Sequence, residues 1–204
     1  MSAEAIRRRR FVQGGLCALV AGSGIASLLL RGPASAAEAP RLLPPGARDD
    51  GSFHAACVRC GLCVQACPYG TLRLAGFDGT ARIGTPYFVA RETPCEMCVD
   101  LPCVRACPTG ALDPALDDVR DARMGTASLS RPESCNSHTG AGFCNSCWLA
   151  CPLRDEALVM VYGATKRGGF FTPVVNSDEC TGCGKCEQAC IAPSAAITVA
   201  PRDA

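Results

Sequence analysis

The sequence predicts a small α+β fold in which short antiparallel hairpins and small helices surround four repeated cysteine loops. Three observations predict it. Sixteen of the 17 cysteines lie in four groups of four, which begin at residues 57, 95, 135 and 180. These starting points are 38, 40 and 45 residues apart, a period typical of repeated structural units. Short apolar runs of strand type lie between the groups.

The four cysteine groups carry the chemistry of the chain. Their members are Cys57, Cys60, Cys63 and Cys67; Cys95, Cys98, Cys103 and Cys107; Cys135, Cys144, Cys147 and Cys151; and Cys180, Cys183, Cys186 and Cys190. The first and fourth groups have the spacing C-x2-C-x2-C-x3-C, by which bacterial ferredoxins ligate a [4Fe-4S] cluster. The second group is C-x2-C-x4-C-x3-C and the third is C-x8-C-x2-C-x3-C. The spacing predicts four [4Fe-4S] clusters, with all sixteen cysteines as cofactor-binding residues and iron ligands.

This spacing also predicts how the groups cooperate. In two-cluster ferredoxins the fourth cysteine of a group reaches the partner cluster rather than its own. Proline follows it in three groups, as Pro68, Pro108 and Pro152, and ends the helical turn there. Four groups therefore imply two exchanging pairs, in two ferredoxin-like modules that each bind two clusters. Sequential pairing joins groups one and two, then three and four; nested pairing joins one with four and two with three.

Two other uses of many cysteines compete with this interpretation. An exported protein rich in cysteine is usually a disulfide scaffold, but four dense groups would give crowded loops. Structural zinc sites usually have two C-x2-C pairs separated by a dozen or more residues, not four contiguous ligands. The spacing favours clusters over both.

Each unit has the same predicted elements in the same order. An extended segment enters, the cysteine loop follows, and a brief helix ends at the fourth cysteine. A small-residue turn and a second extended run come next. The extended segments are Pro86–Val89 and Pro173–Val175 before the loops, and Thr71–Leu74, Ala157–Val161, Ala196–Val199 and the weaker Gly110–Leu112 after them. Residues 113–124 are acidic and are predicted to form a helix that joins the second and third units.

The N-terminus is predicted to be a targeting segment. Residues 1–36 contain a basic region, a mildly apolar stretch and an A-x-A cleavage site at Ala34-Ser35-Ala36. The string Arg8-Arg9-Arg10-Phe11 matches a twin-arginine export signal, a route that moves folded, cofactor-loaded proteins. An uncleaved membrane anchor is the alternative, although the apolar stretch is diluted with glycine. Residues 37–55 are rich in Pro, Ala and Gly and are predicted to be a linker.

The composition and charge of the chain indicate which class of partner it binds. Without residues 1–36 the chain has 15 basic and 18 acidic residues, a net charge of −3. Four clusters at about −2 each would bring the loaded protein near −11. A nucleic-acid footprint is absent, and the expected partners are redox proteins with basic patches. Aromatic residues are only 5% of the chain, so the clusters are expected to replace part of a hydrophobic core, and the cluster-free form to be largely unfolded.

Several strings outside the cysteine spacing resemble one family, the ferredoxin-type proteins of periplasmic nitrate reductase systems (NapG) and of methylamine utilisation (MauM). These strings and the neighbouring cysteine motifs are Gly84–Arg91, Cys95–Cys98, Cys57–Gly61, Cys67–Tyr69, Asp121–Gly125 and Cys180–Cys186. The resemblance runs from the twin-arginine segment to Cys190. The chain ends fourteen residues after Cys190, and the third group has a long gap; these two features leave the choice between the systems open.

The resemblance implies a periplasmic electron-transfer protein, possessing no substrate site of its own, with four [4Fe-4S] clusters. In the nitrate system it implies a membrane-bound, quinol-oxidising iron–sulfur partner and a periplasmic redox enzyme or cytochrome as acceptor; in the methylamine system, electron transfer or redox maturation of the dehydrogenase. No small-molecule substrate is expected. The widened second group, with Pro102 before Cys103, is similar to four-cluster subunits of molybdenum oxidoreductases, which favours nested pairing. The predicted domains are 56–118 for units one and two and 119–204 for units three and four.

Several residues other than the cysteines are expected to have structural roles or to be exposed. His138 and His54 are expected to be ordinary polar residues rather than iron ligands. Trp148 and Tyr69 lie beside cluster cysteines and are expected to pack over a cluster and exclude water. Asp113, Asp117 and Asp118 are expected to form a solvated face. No catalytic residue is predicted, since the sequence has no Ser–His–Asp pattern, phosphate loop or nicotinamide fingerprint.

Overall fold

The computed structural model describes residues 40–48, 50–77, 82–165 and 168–202. Residues 39–204 form one compact unit of short helices and short antiparallel strands, as the predicted α+β class requires. The predicted export signal of residues 1–36 lies outside the described residues. Within the described ranges, no helix is both long and apolar enough to cross a membrane.

The first half of the protein, residues 41–113, contains the first two cysteine groups. Its elements are β1 (Arg41–Leu42), α1 (Asp50–Ala56), α2 (Leu62–Ala66), β2 (Arg73–Leu74), β3 (Pro86–Val89) and α3 (Pro102–Arg105). The three strands form one antiparallel sheet in the order β1-β3-β2. Arg73 pairs with Tyr87, and Arg41 pairs with Val89. The hairpin β2–β3 turns the chain back after the first cysteine group, so α3 packs against α2.

The second half, residues 119–201, repeats this plan around the last two groups. Two 3₁₀ turns, Val119–Asp121 and Pro132–Ser134, flank β4 (Gly125–Ser128). The later elements are α4 (Asn136–Thr139), α5 (Ser146–Ala150), β5 (Leu158–Thr165), β6 (Gly168–Val175), α6 (Lys185–Gln188) and β7 (Thr198–Pro201). Strands β5 and β6 form a hairpin, and β7 returns to pair with β4. The hairpin brings α6 against α5, as β2–β3 brings α3 against α2.

The predicted short helices before the fourth cysteines are confirmed. Helix α2 ends immediately before Cys67, whose backbone is extended (φ −75°, ψ 109°), and α5 ends immediately before Cys151, which has a similar conformation (φ −71°, ψ 122°). Proline follows both residues and disfavours a helical conformation at the residue before it. Helix α3 begins with Pro102, which suits a first helical position because its missing N–H would have no partner there.

The predicted linker and the predicted acidic helix are corrected by the structure. The described part of residues 37–55 supplies β1 and most of α1, because Leu42 and Phe53 are fully buried in the core. Residues 113–124 form turns and one 3₁₀ turn instead of a helix. Two aspartates there satisfy nearby backbone N–H groups: Asp113 accepts from Ala115 N–H at 3.0 Å and Asp118 from Arg120 N–H at 2.8 Å. Such local bonds compete with helix formation.

Most predicted extended runs are strands, with shifted ends. The segment Pro86–Val89 is β3 as predicted, and Ala157–Val161 and Pro173–Val175 fall largely within β5 and β6. The weak run Gly110–Leu112 forms only an isolated antiparallel bridge, between Leu112 and Ala47. The core packs Phe88, Leu101 and Leu158 together with five of the cysteines, so those five thiols belong to the interior of the fold.

Candidate iron–sulfur sites

The structure gathers the sixteen thiols into four sets of four, and each set takes three cysteines from one group and one from another. Three of these sets line cavities, and the fourth is defined by close electrostatic interaction of its thiols. Site one is Cys57, Cys60, Cys63 and Cys107; site two is Cys95, Cys98, Cys103 and Cys67; site three is Cys135, Cys144, Cys147 and Cys190; site four is Cys180, Cys183, Cys186 and Cys151.

This arrangement is sequential, and the expected nested pairing is wrong. Cys107, the fourth cysteine of the second group, joins the first group, and Cys190 joins the third group rather than the first. The two hairpins are the physical reason. Each returns the chain over a short distance and packs the helix of the following group on the helix of the preceding one. The fourth cysteine, at the end of that helix, then faces the neighbouring loop.

Left-handed residues bend the cysteine loops around their cavities. Arg59, Met97 and Gly182 each lie two residues after the first cysteine of a group, and their φ angles are 58°, 58° and 73°. Gly61 and Gly184 follow the second cysteine in two groups, with φ of 77° and 89°. Glycine adopts this conformation without strain, whereas a side chain makes it uncommon. The Gly residues of the C-x2-C-G motifs therefore allow the loop to turn its thiols to one side.

Burial raises the pKa of eight of these thiols. It raises the pKa of Cys95 and Cys103 to about 12, with neighbouring thiols adding to the effect. Burial likewise raises the pKa of Cys63, Cys147 and Cys151 to about 11. Four thiolates cannot share such a space unless a cation compensates them, and the irons of a cluster supply that charge.

The fourth cysteines of the first two groups, Cys67 and Cys107, have lowered pKa values because backbone N–H groups donate hydrogen bonds to them. Burial acts to raise the pKa of Cys67, but the N–H groups of Thr71, Tyr69 and Leu72 outweigh it, and the pKa is lowered. In the same way Leu112 and other N–H groups lower the pKa of Cys107 against burial; the Leu112 nitrogen lies 3.5 Å from Sγ. Hydrogen bonds of this kind to cluster sulfurs raise the reduction potential.

The long gap in the third group is held by a buried serine. Residues 136–139 form helix α4, which ends at Gly140 (φ 74°). Ser137 is fully buried; its Oγ donates to the carbonyl of Cys144 at 2.9 Å and accepts from the Cys144 N–H at 3.0 Å. The side chain thus ties both ends of the gap together and sets Cys144 opposite Cys135.

The donor sets fit a multi-iron cluster better than zinc or disulfides. All sixteen described cysteines are free thiols. A zinc ion needs its thiolates to converge at about 2.3 Å from one point. Among the residues that the structure describes, no three Cys, His, Asp or Glu side chains come close enough to hold a single ion. The thiols of sites one, two and three line mostly apolar cavities, which a cubane with four separate irons would fill.

The predictions for His138, Trp148 and Tyr69 have different outcomes. His138 is exposed, as expected, and lies 3.4 Å from the Thr172 hydroxyl. Trp148 is partly buried against the core and donates to Asp155 at 2.9 Å, and its packing over a cluster stays a prediction. The prediction for Tyr69 is wrong: the residue is 60% exposed, and its backbone N–H donates to Cys67.

Polar residues that brace the loops were missed by sequence reasoning. Besides Ser137, they include Arg91, which donates to carbonyls of residues 187, 188, 190 and 192, and Glu187, which accepts from the Val199 N–H at 2.7 Å. Arg91 lies in the Gly84–Arg91 string, and that string was the only sequence signal of its role.

The acidic residues 113, 117 and 118 form a solvated face, in part paired with arginines. Asp117 lies 3.1 Å from Arg105 and Asp113 lies 3.4 Å from Arg48. His54, the other predicted ordinary histidine, packs edge-on against Phe53 at 5.4 Å between ring centres.

A family model described as a 4Fe-4S dicluster domain matches residues 56–111 and 142–194. The fold, the thiol sets and this match define an iron–sulfur electron-transfer protein of the ferredoxin type with four [4Fe-4S] clusters. The chain is 54% identical to the methylamine utilization ferredoxin-type protein MauM of Methylorubrum extorquens, over 83% of this chain and 77% of that protein. It is 47% identical to the ferredoxin-type protein NapG of Escherichia coli K12, over 95% and 85%. The chain belongs to this NapG and MauM family of ferredoxin-type proteins.

Proposed function

We propose that this protein is a periplasmic electron carrier whose sixteen cysteines ligate four [4Fe-4S] clusters, two in residues 56–118 and two in residues 119–204. The observation that carries the proposal is the assembly of four thiols at each of four sites, with the fourth thiol exchanged within each half. When bound, such clusters accept and release single electrons. The residues of the chain hold the thiolates, donate N–H groups to them and exclude water.

The thiol sets favour a carrier over an enzyme. A catalytic cluster needs an iron without a protein ligand, where substrate binds. Each of the four sites here provides four cysteines, which leaves no such iron. The protein therefore exchanges electrons with other proteins and has no substrate site of its own.

The first candidate for those partners is the nitrate reductase system. The resemblance to NapG extends over 95% of this chain. We infer that a membrane-bound, quinol-oxidising iron–sulfur protein reduces the clusters and that periplasmic nitrate reductase, directly or through a cytochrome, oxidises them. The acidic charge of the loaded chain suits partners with basic docking surfaces, and such contacts weaken with salt.

The second candidate is a methylamine dehydrogenase system. The higher identity to MauM of Methylorubrum extorquens, 54% against 47% for NapG of Escherichia coli, favours it. There the protein would transfer electrons from or to the enzyme, or act in its redox maturation.

Kinetics with purified partners test the proposed function. The anaerobic, cluster-loaded protein is mixed with quinol and the membrane partner, and then with nitrate reductase and nitrate, while cluster absorption is followed. We expect reduction and reoxidation at turnover rates. Reoxidation by methylamine dehydrogenase or its cytochrome instead supports the second candidate, and a failure to exchange electrons with either system contradicts a carrier. A deletion strain in which an already matured client enzyme keeps full activity supports the maturation role.

Export through the twin-arginine route is a separate part of the proposal. Replacing Arg8 and Arg9 together by lysine is expected to leave the loaded protein in the cytoplasm as the uncleaved precursor, since that route reads the arginine pair. Arg7→Lys is the matched control, because it keeps the pair and the charge. Equal periplasmic amounts of both variants, measured by fractionation and immunoblot, would contradict this route.

A further inference from the structure

The two halves of the protein meet along a junction formed by residues 90–97 and residues 181–192. At its centre the Cys95 N–H donates to the Cys183 carbonyl at 2.8 Å. Lys185 and Glu96 form an ion pair across the junction, and both side chains are partly buried. The Gln188 amide adds a bond to the Glu92 carbonyl at 3.1 Å. Backbone and side chains therefore fix the loop of site two against the loop of site four.

Arg91 holds the same junction from the first half. Its guanidinium donates to the carbonyls of Glu187 (2.6 Å), Cys190 (2.7 Å) and Ala192 (3.0 Å). The last carbonyls of a helix have no partner within the helix, so the planar cation satisfies that of Glu187 near the end of α6 together with two carbonyls of the loop that follows. The side chain thereby anchors the segment that carries Cys186 and Cys190.

Close packing leaves no gap at this contact. A Cβ atom placed on Gly184 would lie 2.6 Å from Cβ of Ala90 and 3.5 Å from Pro94, both in the first half. The absent side chain allows the two cysteine loops to touch. Cys95 and Cys183, on the two sides of the contact, also interact electrostatically.

Sites one and three, in contrast, are built entirely within their own halves. Residues 53–112 line site one, and residues 129–197 line site three. Each reaches the surface: Cys60 is exposed at site one, and Ile191 at site three is 64% exposed. Three of the four cysteines of site four are buried. Within the halves, Cys103 interacts with Cys63 and Cys186 with Cys147, which links site two to one and site four to three.

We propose that the four sites follow the order one, two, four, three through the molecule, so that sites two and four pass electrons across the junction and sites one and three are the ends at which redox partners exchange them. This order rests on the proposed electron-carrier function. It predicts two separate exchange surfaces, one in each half of the chain.

Removing one site at a time tests the order, because loss of an inner site isolates its outer neighbour. Cys103→Ala removes site two and Cys60→Ala, the matched control, removes site one. Both full-length variants are prepared anaerobically, checked for about twelve irons, and reduced for EPR spectroscopy. We expect Cys103→Ala to give one reduced cluster without spin–spin interaction plus one interacting pair. Cys60→Ala should leave three clusters that all interact.

The second half supplies the same test independently, should the site-two variant fail to fold or keep a partial cluster. Cys186→Ala should isolate site three, whereas Cys144→Ala should leave sites one, two and four interacting. Arg91→Ala retains every ligand and is expected to weaken the interaction between sites two and four at an unchanged sixteen irons. Arg105→Ala, which removes an exposed ion pair with Asp117, is its control.

The outcomes separate this order from the proposed function. Wild-type protein without clusters, or with clusters that accept no electrons, would contradict the function. The order alone would be overturned if the wild-type protein has sixteen reducible irons but neither Cys103→Ala nor Cys186→Ala shows an isolated signal. An isolated signal in Cys60→Ala would overturn it as well. An interaction between sites two and four that is identical in wild type and Arg91→Ala would contradict the role of the junction.

Discussion

Ser137 shows how a single hydroxyl can shape a cluster loop. Its Oγ both donates to and accepts from the backbone of Cys144, and the side chain is fully buried. The third group has a gap of eight residues between its first two cysteines, where the other groups have two. The contact satisfies both the N–H and the carbonyl of Cys144 in a partly buried position. The gap is therefore closed by a side chain and not by cysteine spacing.

Replacing Ser137 by alanine should weaken site three. An unsatisfied buried donor costs about 1–3 kcal/mol, so we expect a fall of that size in the free energy of unfolding of the loaded protein. Denaturant curves followed by cluster absorption measure it, and iron release to a chelator should begin at one cluster. Thr139→Ala is the control, because that hydroxyl is exposed and its bonds to the carbonyls of Cys135 and Asn136 can be replaced by water. Equal losses in the two variants would show that Ser137 has no special role.

At the scale of elements, the two hairpins decide which thiols meet. Strands β2 and β3, and likewise β5 and β6, reverse the chain between consecutive cysteine groups. Much of this was predictable: the four motifs, the helices that end before Pro68 and Pro152, and the strand Pro86–Val89. The pairing was not, because spacing alone is compatible with both sequential and nested exchange. Leu42 and Phe53 were also missed, since their proline- and glycine-rich surroundings look like a linker, although burial makes them core residues.

Double substitutions distinguish the two pairings. Cys190 shares site three with Cys144 in the structure, so the variant lacking both should lose one cluster and retain about twelve irons. The variant lacking Cys190 and Cys57 should lose two clusters and retain about eight. Iron and labile sulfide measured on anaerobic protein give both numbers. The opposite result, with about twelve irons only when Cys57 is the second substitution, would restore nested pairing.

For the whole molecule, the buried thiols imply that folding depends on the clusters. Five cysteines belong to the buried core, and several more pack against it. Without iron, these thiols would leave apolar spaces that no other side chain fills. Metal binding therefore supplies folding free energy directly.

Removal of the clusters should unfold most of the chain. We expect protein treated anaerobically with acid or chelator, and then returned to neutral buffer with the thiols kept reduced, to show no cooperative thermal transition by circular dichroism. Restoring iron and sulfide should recover it. A cluster-free protein that melts cooperatively with native helix and strand content would contradict this dependence.

The most direct measurement is the metal content of the whole protein, purified without oxygen. Iron and acid-labile sulfide should each approach about sixteen per chain, four for every cubane, with EPR signals of reduced [4Fe-4S] clusters after dithionite. Colourless protein that lacks iron, or whose cysteines hold zinc or are joined as disulfides, would contradict an iron–sulfur electron carrier.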